Sequence, residues 1–431
     1  MAFEKLQLYG KIIAFYIPYS IQLLRRRVAS LYHKWTYKVT SDAKNVVVLG
    51  GSWAGIELTR RLSETLPTGY KVVLVEKNSH FNYTFTFPRF SVLQGHEYKS
   101  FIPYHGIAKY APDGIFSHVR DSVENITTSH VHLASGDTVA YEYLAIATGS
   151  SQPPPARVIS TDWEEACSEL QSIQESIKTA NKIAIVGGGA VGIELATDIK
   201  DFYQDKDVTL IHSRGRLLNQ FGERLHDHVL PVLQELKIRT LLNERPRIPG
   251  GVIGRNKALV FSDASEEMFD LVIPCTGQRP NSSFATSLIP SSISKETSGI
   301  LVKPTLQVQD EGNSFPRIFA LGDVAEHGGP KMARAGYFQA GIVLENILSM
   351  IKDRQPSTVY TPRFEFEGAI KLTLGKTRWV MHSMGSNGSD FLLAGDDGKI
   401  DLDVQKAWKS FGVDIEGSRA PATAQGESID I

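Results

Sequence analysis

The chain has 431 residues, with 46 Lys and Arg against 47 Asp and Glu and a formal charge of −1, so it has no basic field with which to hold nucleic acid. Apolar content of 42 % and charged content of 22 % are those of a folded globular protein, long enough for two or three domains. The two cysteines, Cys167 and Cys275, form no CxxC pair, which argues against a dithiol active site and suits a reducing or cysteine-indifferent setting.

The first predicted element is the mostly apolar stretch Leu6 to Leu24, interrupted by Lys11 and Pro18. Arg25-Arg26-Arg27, His33, Lys34 and Lys38 follow, and Glu4 is the only acid before Asp42. An interfacial anchor, a weak signal anchor, a mitochondrial targeting segment or a helix packed on the body all fit this pattern. Lys11 and Pro18 count against a spanning helix, and Ala2 excludes N-myristoylation. Residues 1–40 are therefore set apart as an anchor or targeting segment for a membrane surface.

From Asn45 an apolar strand, Val46 to Leu49, runs into Gly50-Gly51-Ser52-Trp53-Ala54-Gly55, then a helix-like stretch, then a second strand ending at Glu76. Tyr143 to Ala147 is a strand that ends in Thr148-Gly149, and Ser150 to Pro155 is a linker by composition. The pattern then repeats: Ile183 to Val186, the turn Gly187-Gly188-Gly189-Ala190-Val191-Gly192, a helix carrying Glu194, and a strand ending in His212-Ser213. Leu271 to Cys275 runs into Thr276-Gly277, and Arg317 to Leu321 into Gly322-Asp323. Lys331 to Met350 reads as a helix. From about Ser357 come short strands and glycine turns, with a polar tail after Phe411.

In such a turn the first glycine allows a tight bend, the second lets backbone approach a pyrophosphate at a helix N-terminus, and the third lets helix pack on strand. Gly187, Gly189 and Gly192 fill all three roles, and Gly50 and Gly55 fill the outer two. Ser52 stands at the middle position, a tolerated departure whose hydroxyl suits a phosphate. Glu76 ends the second strand, where a carboxylate accepts both ribose hydroxyls of an adenosine. His212 and Ser213 replace that acid in the second unit, with Arg214 and Arg216 just beyond, which permits the 2′-phosphate of NADPH. A single motif of this kind also fits a turn that only shapes a sheet. The tandem pair points to two nucleotide cofactors and electron transfer between them.

These signals together resemble the two-dinucleotide-binding flavoprotein superfamily over about residues 44 to 350. They sharpen toward its apoptosis-inducing-factor-like branch, with the ferroptosis-suppressor oxidoreductases, related to type II NADH:quinone oxidoreductases. The sharpening segments are Val208 to Ser213, Pro330-Lys331-Met332-Ala333, Phe87-Pro88-Arg89 and Phe101 to Tyr104. The resemblance implies an α/β fold of tandem Rossmann-like domains, the NAD(P) domain inserted in the FAD domain, with a small C-terminal α+β domain. The expected boundaries are 41–155 and 281–356 for FAD, 156–280 for NAD(P)H, and 357–431 for the C-terminal interface domain and tail.

By the same resemblance Asp323 binds the flavin ribityl chain, and the helix after it aims its N-terminus at the pyrimidine edge. Arg89 is expected on the FAD phosphates or ring and Val123 beside the adenine. Gly50 to Gly55, Glu76, Thr148, Gly149 and Gly322 complete the FAD set. Gly187, Gly189, Gly192, His212, Arg214 and Gly277 are expected to hold NAD(P)H. Glu194, whose counterpart faces the nicotinamide, and Lys331, close to the flavin, are the catalytic candidates. No residue cluster suggests a metal. The expected reaction takes hydride from NAD(P)H to flavin N5 and passes electrons on. A quinone is the most natural acceptor, because no cysteine pair can relay them and an anchored enzyme sits where quinones dissolve. A redox-sensing, apoptosis-related flavoprotein with little turnover and a tailoring oxidoreductase of specialised metabolism are the alternatives. Expected location is a membrane, at the mitochondrion or the cytoplasmic face of an organelle.

Overall fold

Val46, Val47, Val48 and Leu49 are wholly buried, a continuous apolar run rather than an alternating one. Such a run requires a strand covered on both faces, as in a parallel sheet. The computed structural model, which describes residues 24–248, 253–385 and 388–416 with Gly10 and Ile21, places it at the centre of one. The order is Ile318–Ala320, Tyr143–Ile146, Lys44–Leu49, Tyr70–Val75, Phe116–Val119, every pair parallel, with Val47 opposite Val73 and Leu144. On one face lie helices α2 (Trp53–Ser63) and α7 (Ala333–Ile351). On the other lies a layer built on the antiparallel strands Val123–Ile126, His130–Leu133 and Thr138–Ala140.

A second sheet runs Arg239–Leu242, Asp207–His212, Lys182–Val186, Glu266–Pro274, parallel throughout, with Gly254–Val260 as an antiparallel edge. Its strands lie in the chain between Tyr143–Ile146 and Ile318–Ala320, two neighbours of the first sheet. The second unit therefore interrupts the first, as the resemblance implied. Helices α4 (Trp163–Thr179), α5 (Ala190–Phe202) and α6 (Glu223–Glu235) flank it.

The C-terminal unit is the antiparallel sheet Ile370–Thr373, Arg378–Met384, Asp390–Asp396, followed by a helix over Val404–Ser410. Its sheet packs Ile370, Leu372 and Val380 into the core of the second unit. Its helix sends Trp408, wholly buried, into the core of the first, where the indole N–H donates to Lys99 O at 2.8 Å. The C-terminal unit thus ties the first and second units together.

The described part of the N-terminal segment is not separate from the body. A helix over 24–36, α1, docks beside α2: Arg26 pairs with Glu64 at 2.9 Å, His33 Nε2 lies 2.7 Å from Leu66 O, and Ser30 is buried against Tyr110. Most of the predicted apolar stretch, residues 1–9, 11–20 and 22–23, lies outside the described residues, as does the tail from 417. Among the described residues no helix is long and apolar enough to cross a membrane.

Candidate functional site

The outer glycines of both turns are demanded by the chain itself. Gly50 has φ of 96° and Gly187 of 134°, and a Cβ on Gly55 or Gly192 would stand 1.8 or 1.9 Å from the carbonyl oxygen of the opening glycine. Nothing in the chain demands the middle position. A Cβ on Gly189 would meet no protein atom within 4 Å, and its counterpart Ser52 is exposed, with a hydroxyl that makes no capping bond. The open space there suits a group brought up to the helix N-terminus, and pyrophosphate fits. Trp53 and Ala54 form the first turn of α2 behind Ser52.

The two second strands end in equivalent interactions. Gly51 N–H donates to Glu76 Oε2 at 2.5 Å, and Asn78 holds Oε1 through its backbone and side-chain nitrogens at 2.9 and 2.6 Å. The buried Tyr104 hydroxyl donates to Gly51 O at 2.9 Å, which fixes the turn from behind. In the second unit Gly188 N–H donates to His212 Nδ1 at 3.1 Å. That bond leaves the ring proton on Nε2, and burial holds the imidazole below its usual pKa, so His212 is neutral at pH 7. It keeps the structural role of the usual acid without its charge. A cavity of about 550 Å³ opens there, lined by Gly187, Gly189, His212, Arg214, Arg245 and Gly277 among others. Arg216 is turned instead to the carbonyls of Asn219 and Phe221.

Three further turns with positive φ meet: Gly149 at 63°, Gly277 at 82° and Gly322 at 73°. Thr148 and Asn281 exchange hydrogen bonds of 2.7 and 2.9 Å, which stitches the first Thr-Gly turn to the chain just beyond the second. Ser150 and Gln278, each the residue after a Thr-Gly pair, both donate to Asp323 Oδ2, at 3.1 and 2.8 Å. Burial pushes the Asp323 carboxyl above its ordinary pKa. Gly322 N–H donates to the buried Gln339 at 2.7 Å. Lys331 Nζ donates to the carbonyls of Asp323 and Ala325, with Glu326 at 3.5 Å, so it braces the loop that presents Asp323. α7 starts at Ala333 rather than Lys331, because Met332 is still extended. Val123 opens its strand in the layer behind Val75 and Val119.

Ser150, Gln278, Tyr104 and Gln339 escaped the sequence reading. The first two had a signal: each directly follows Thr-Gly, so the two pairs deliver equivalent side chains to one point.

Arg89 requires a correction. It was expected on FAD phosphates or ring, but its guanidinium is 1 % exposed and otherwise engaged. It pairs with Asp198 at 2.9 Å and donates to the carbonyls of Gly375, Lys376 and Ile400 at 2.6, 3.1 and 2.8 Å. Arg89 thus locks the first unit (α3, Phe87–Phe90) to α5 and to the C-terminal unit. One turn from Asp198 on α5, Glu194 Oε1 accepts from Thr373 N–H and hydroxyl at 3.1 and 3.3 Å. Burial pushes Glu194 up to about 8 and Asp198 to about 6, each partly offset by Arg89. Glu194 therefore holds its proton at neutral pH.

Glu194 has a pKa raised above the ordinary 4.5, so the folded state binds a proton that the unfolded state releases. Its stabilising contribution is complete below about pH 4.5 and is lost as pH rises through about 8. Glu194→Gln, which keeps the Thr373 acceptor, is expected to flatten the fall of the melting temperature between pH 5 and pH 9. A profile parallel to that of the parent would show that Glu194 does not carry the proton.

The family described as pyridine nucleotide-disulphide oxidoreductase matches residues 44–340. Fe-regulated protein 8 of Mycosarcoma maydis is 32 % identical over 402 residues, 88 % of this chain and 97 % of the relative. Ferroptosis suppressor protein 1 of Xenopus tropicalis is 29 % identical over 382 residues, 86 % of this chain and 96 % of the relative. Among solved structures, the sulfide:quinone oxidoreductase of Aquifex aeolicus superposes with a TM-score of 0.67 at 17 % identity, covering 85 % of this chain and 90 % of that one, a likeness of fold.

Proposed function

Because this chain belongs to the pyridine nucleotide-disulphide oxidoreductase family and is an FAD-dependent NAD(P)H oxidoreductase, we propose that it passes its electrons to a quinone. The observation that carries this is the state of the cysteines. Cys167 and Cys275 are single free thiols, and burial pushes each up to about 12. Neither offers the thiolate that a disulfide relay needs. With no relay, reduced cofactor must meet the acceptor directly, and a quinone accepts from it without acid–base help from the protein.

FAD supplies hydride acceptance at N5 and onward electron transfer; the protein supplies position and electrostatics. Glu76 takes the adenosine ribose, the Ser52 turn and the α2 N-terminus take the pyrophosphate, and Asp323 takes the ribityl hydroxyls. Gly189 and the α5 N-terminus take the pyrophosphate of NAD(P)H. Glu194, protonated and close behind that turn, is a donor for a carboxamide. The proposed setting is a membrane surface, of the mitochondrion or the cytoplasmic side of an organelle, reached through the N-terminal segment. Were the segment to span, Arg25 to Arg27 would resist crossing and keep the body on the cytosolic side.

Re-oxidation of the reduced enzyme tests the acceptor. Quinones are expected to outrun disulfides and oxygen by at least tenfold. Slow turnover with all three, and a long-lived charge-transfer complex, would make the protein a redox sensor instead.

His212 and Arg214 set the nicotinamide choice in this reading: NADPH is used at least as well as NADH. His212→Glu can still accept from Gly188 N–H, so the turn survives, but its charge opposes a 2′-phosphate. The ratio of kcat/KM for NADPH over NADH is expected to fall about tenfold or more. A parent preference for NADH of a hundredfold would overturn the assignment.

A further inference from the structure

We infer that the outer face of α1 is a docking surface for an anionic lipid membrane, and that α1 holds the enzyme on the bilayer as a rigid helix lying in the plane of the interface. This rests on the proposed membrane setting and names the surface that achieves it. α1 is clamped to the body by its polar side. Arg26 reaches Glu64 at 2.9 Å and Glu57 at 3.7 Å, Ser30 Oγ donates to Tyr110 O at 3.2 Å, and His33 Nε2 lies 2.7 Å from Leu66 O. Just past the helix, Tyr37 OH donates to Tyr70 O at 2.9 Å. At about 100° per residue these positions fall within one narrow arc.

The opposite side is apolar and turned outward. Leu24, Val28, Leu31, Tyr32 and Trp35 are all more than half exposed, Trp35 at 89 %. On the helical wheel they span about 100°, the width of stripe that a surface helix normally buries against its own core. Here the arrangement is inverted: ionic and polar groups face the protein, the apolar stripe faces away. A large contiguous apolar face of this kind marks an interaction surface.

The borders of the stripe identify the occupant. Arg25 flanks one side, Arg27 and Lys34 the other, all exposed, and no Asp or Glu occurs between Glu4 and Asp42. Two copies packed stripe to stripe would bring basic border against basic border in either orientation, with no acids to answer them. A lipid surface answers both features at once. The stripe sinks into the acyl boundary, Trp35 sits at the interface, and the basic side chains rise to anionic headgroups. Because the clamp fixes α1 on α2, the membrane meets the body in one orientation rather than through a flexible tether.

Vesicle co-sedimentation of the full chain tests this, with phosphatidylcholine vesicles carrying 30 mol % phosphatidylserine as the probe and pure phosphatidylcholine as the comparison. The parent is expected to bind the anionic vesicles, and far less to the neutral ones or at high salt. Leu31→Glu with Trp35→Glu, both on the exposed face, should weaken binding more than tenfold. Flavin content and turnover of a water-soluble quinone should stay at the parental level. Arg27→Gln with Lys34→Gln should weaken binding to anionic vesicles by on the order of tenfold and leave binding to neutral vesicles alone. Parental binding by the Leu31/Trp35 variant would overturn the proposal, assigning attachment to the segment before α1. A dimer of the parent that those substitutions dissociate would also overturn it, in favour of a second copy. If the parent binds no vesicle while turning over soluble quinone, the membrane setting itself fails and the quinone reading stands.

Discussion

Replacing Arg89 by alanine is expected to lower global stability by about 3–5 kcal/mol, the range for removing one partner of a buried ion pair. The cost arises because Asp198, wholly buried, loses its countercharge, and the carbonyls of Gly375, Lys376 and Ile400 lose their donor. Lysine should rescue little, since one ammonium cannot replace a planar fork that serves four acceptors. Asp198→Ala combined with Arg89→Ala should lose less than Arg89→Ala alone, because the uncompensated charge then goes as well. Urea or thermal unfolding reads the loss. Flavin titration of the folded variant at low temperature separates the keystone role from the cofactor contact expected from sequence. Near-parental flavin affinity supports the former, whereas lost affinity with unchanged stability would return Arg89 to the FAD.

Asp323→Ala should release most of the flavin. Charge-assisted hydrogen bonds are worth about 1.5–3 kcal/mol, so affinity should fall roughly tenfold to over a hundredfold. The carboxylate is presented from a fixed loop: Gly322 is bonded to Gln339, Lys331 braces the carbonyls behind it, and Ser150 and Gln278 converge on Oδ2. Alanine removes the acceptor and leaves those donors aimed at nothing. Asparagine, which keeps an acceptor without the charge, should fall between. Flavin absorbance per protein after gel filtration measures it, and full occupancy of the alanine variant would remove Asp323 from the flavin site.

Much of this was legible because it rests on local constraint. A strand ending in a left-handed glycine, with a second glycine pressed on its carbonyl oxygen, admits no side chain, so Gly50, Gly55, Gly187 and Gly192 announce their turns. Apolar runs such as Val46 to Leu49 announce a strand covered on both faces. Glu76 and His212 were readable as the residues that end the second strand of each unit. Their bonds to Gly51 and Gly188 show one geometry served by a carboxylate and by an imidazole. The insertion of one unit in the other was implied by the family resemblance that these signals carry, and the observed strand order agrees with it.

Position in the chain says nothing about which distant surfaces will be pressed together. Arg89 looks the same in sequence whether it meets a phosphate or a buried aspartate. Only the packing of α3 against α5, about a hundred residues on, and against the C-terminal unit, about three hundred on, decided that Asp198 and three carbonyls take its donors. The raised pKa of Glu194 likewise depends on enclosure by the strand that carries Thr373. The N-terminal segment divides the same way. Its apolar and basic composition suited a membrane surface, a targeting segment and a helix packed on the body alike. Which face of α1 turns outward was decided by Glu57, Glu64, Leu66 and Tyr110, which claim the polar side of the helix and leave the apolar stripe to whatever lies beyond the protein.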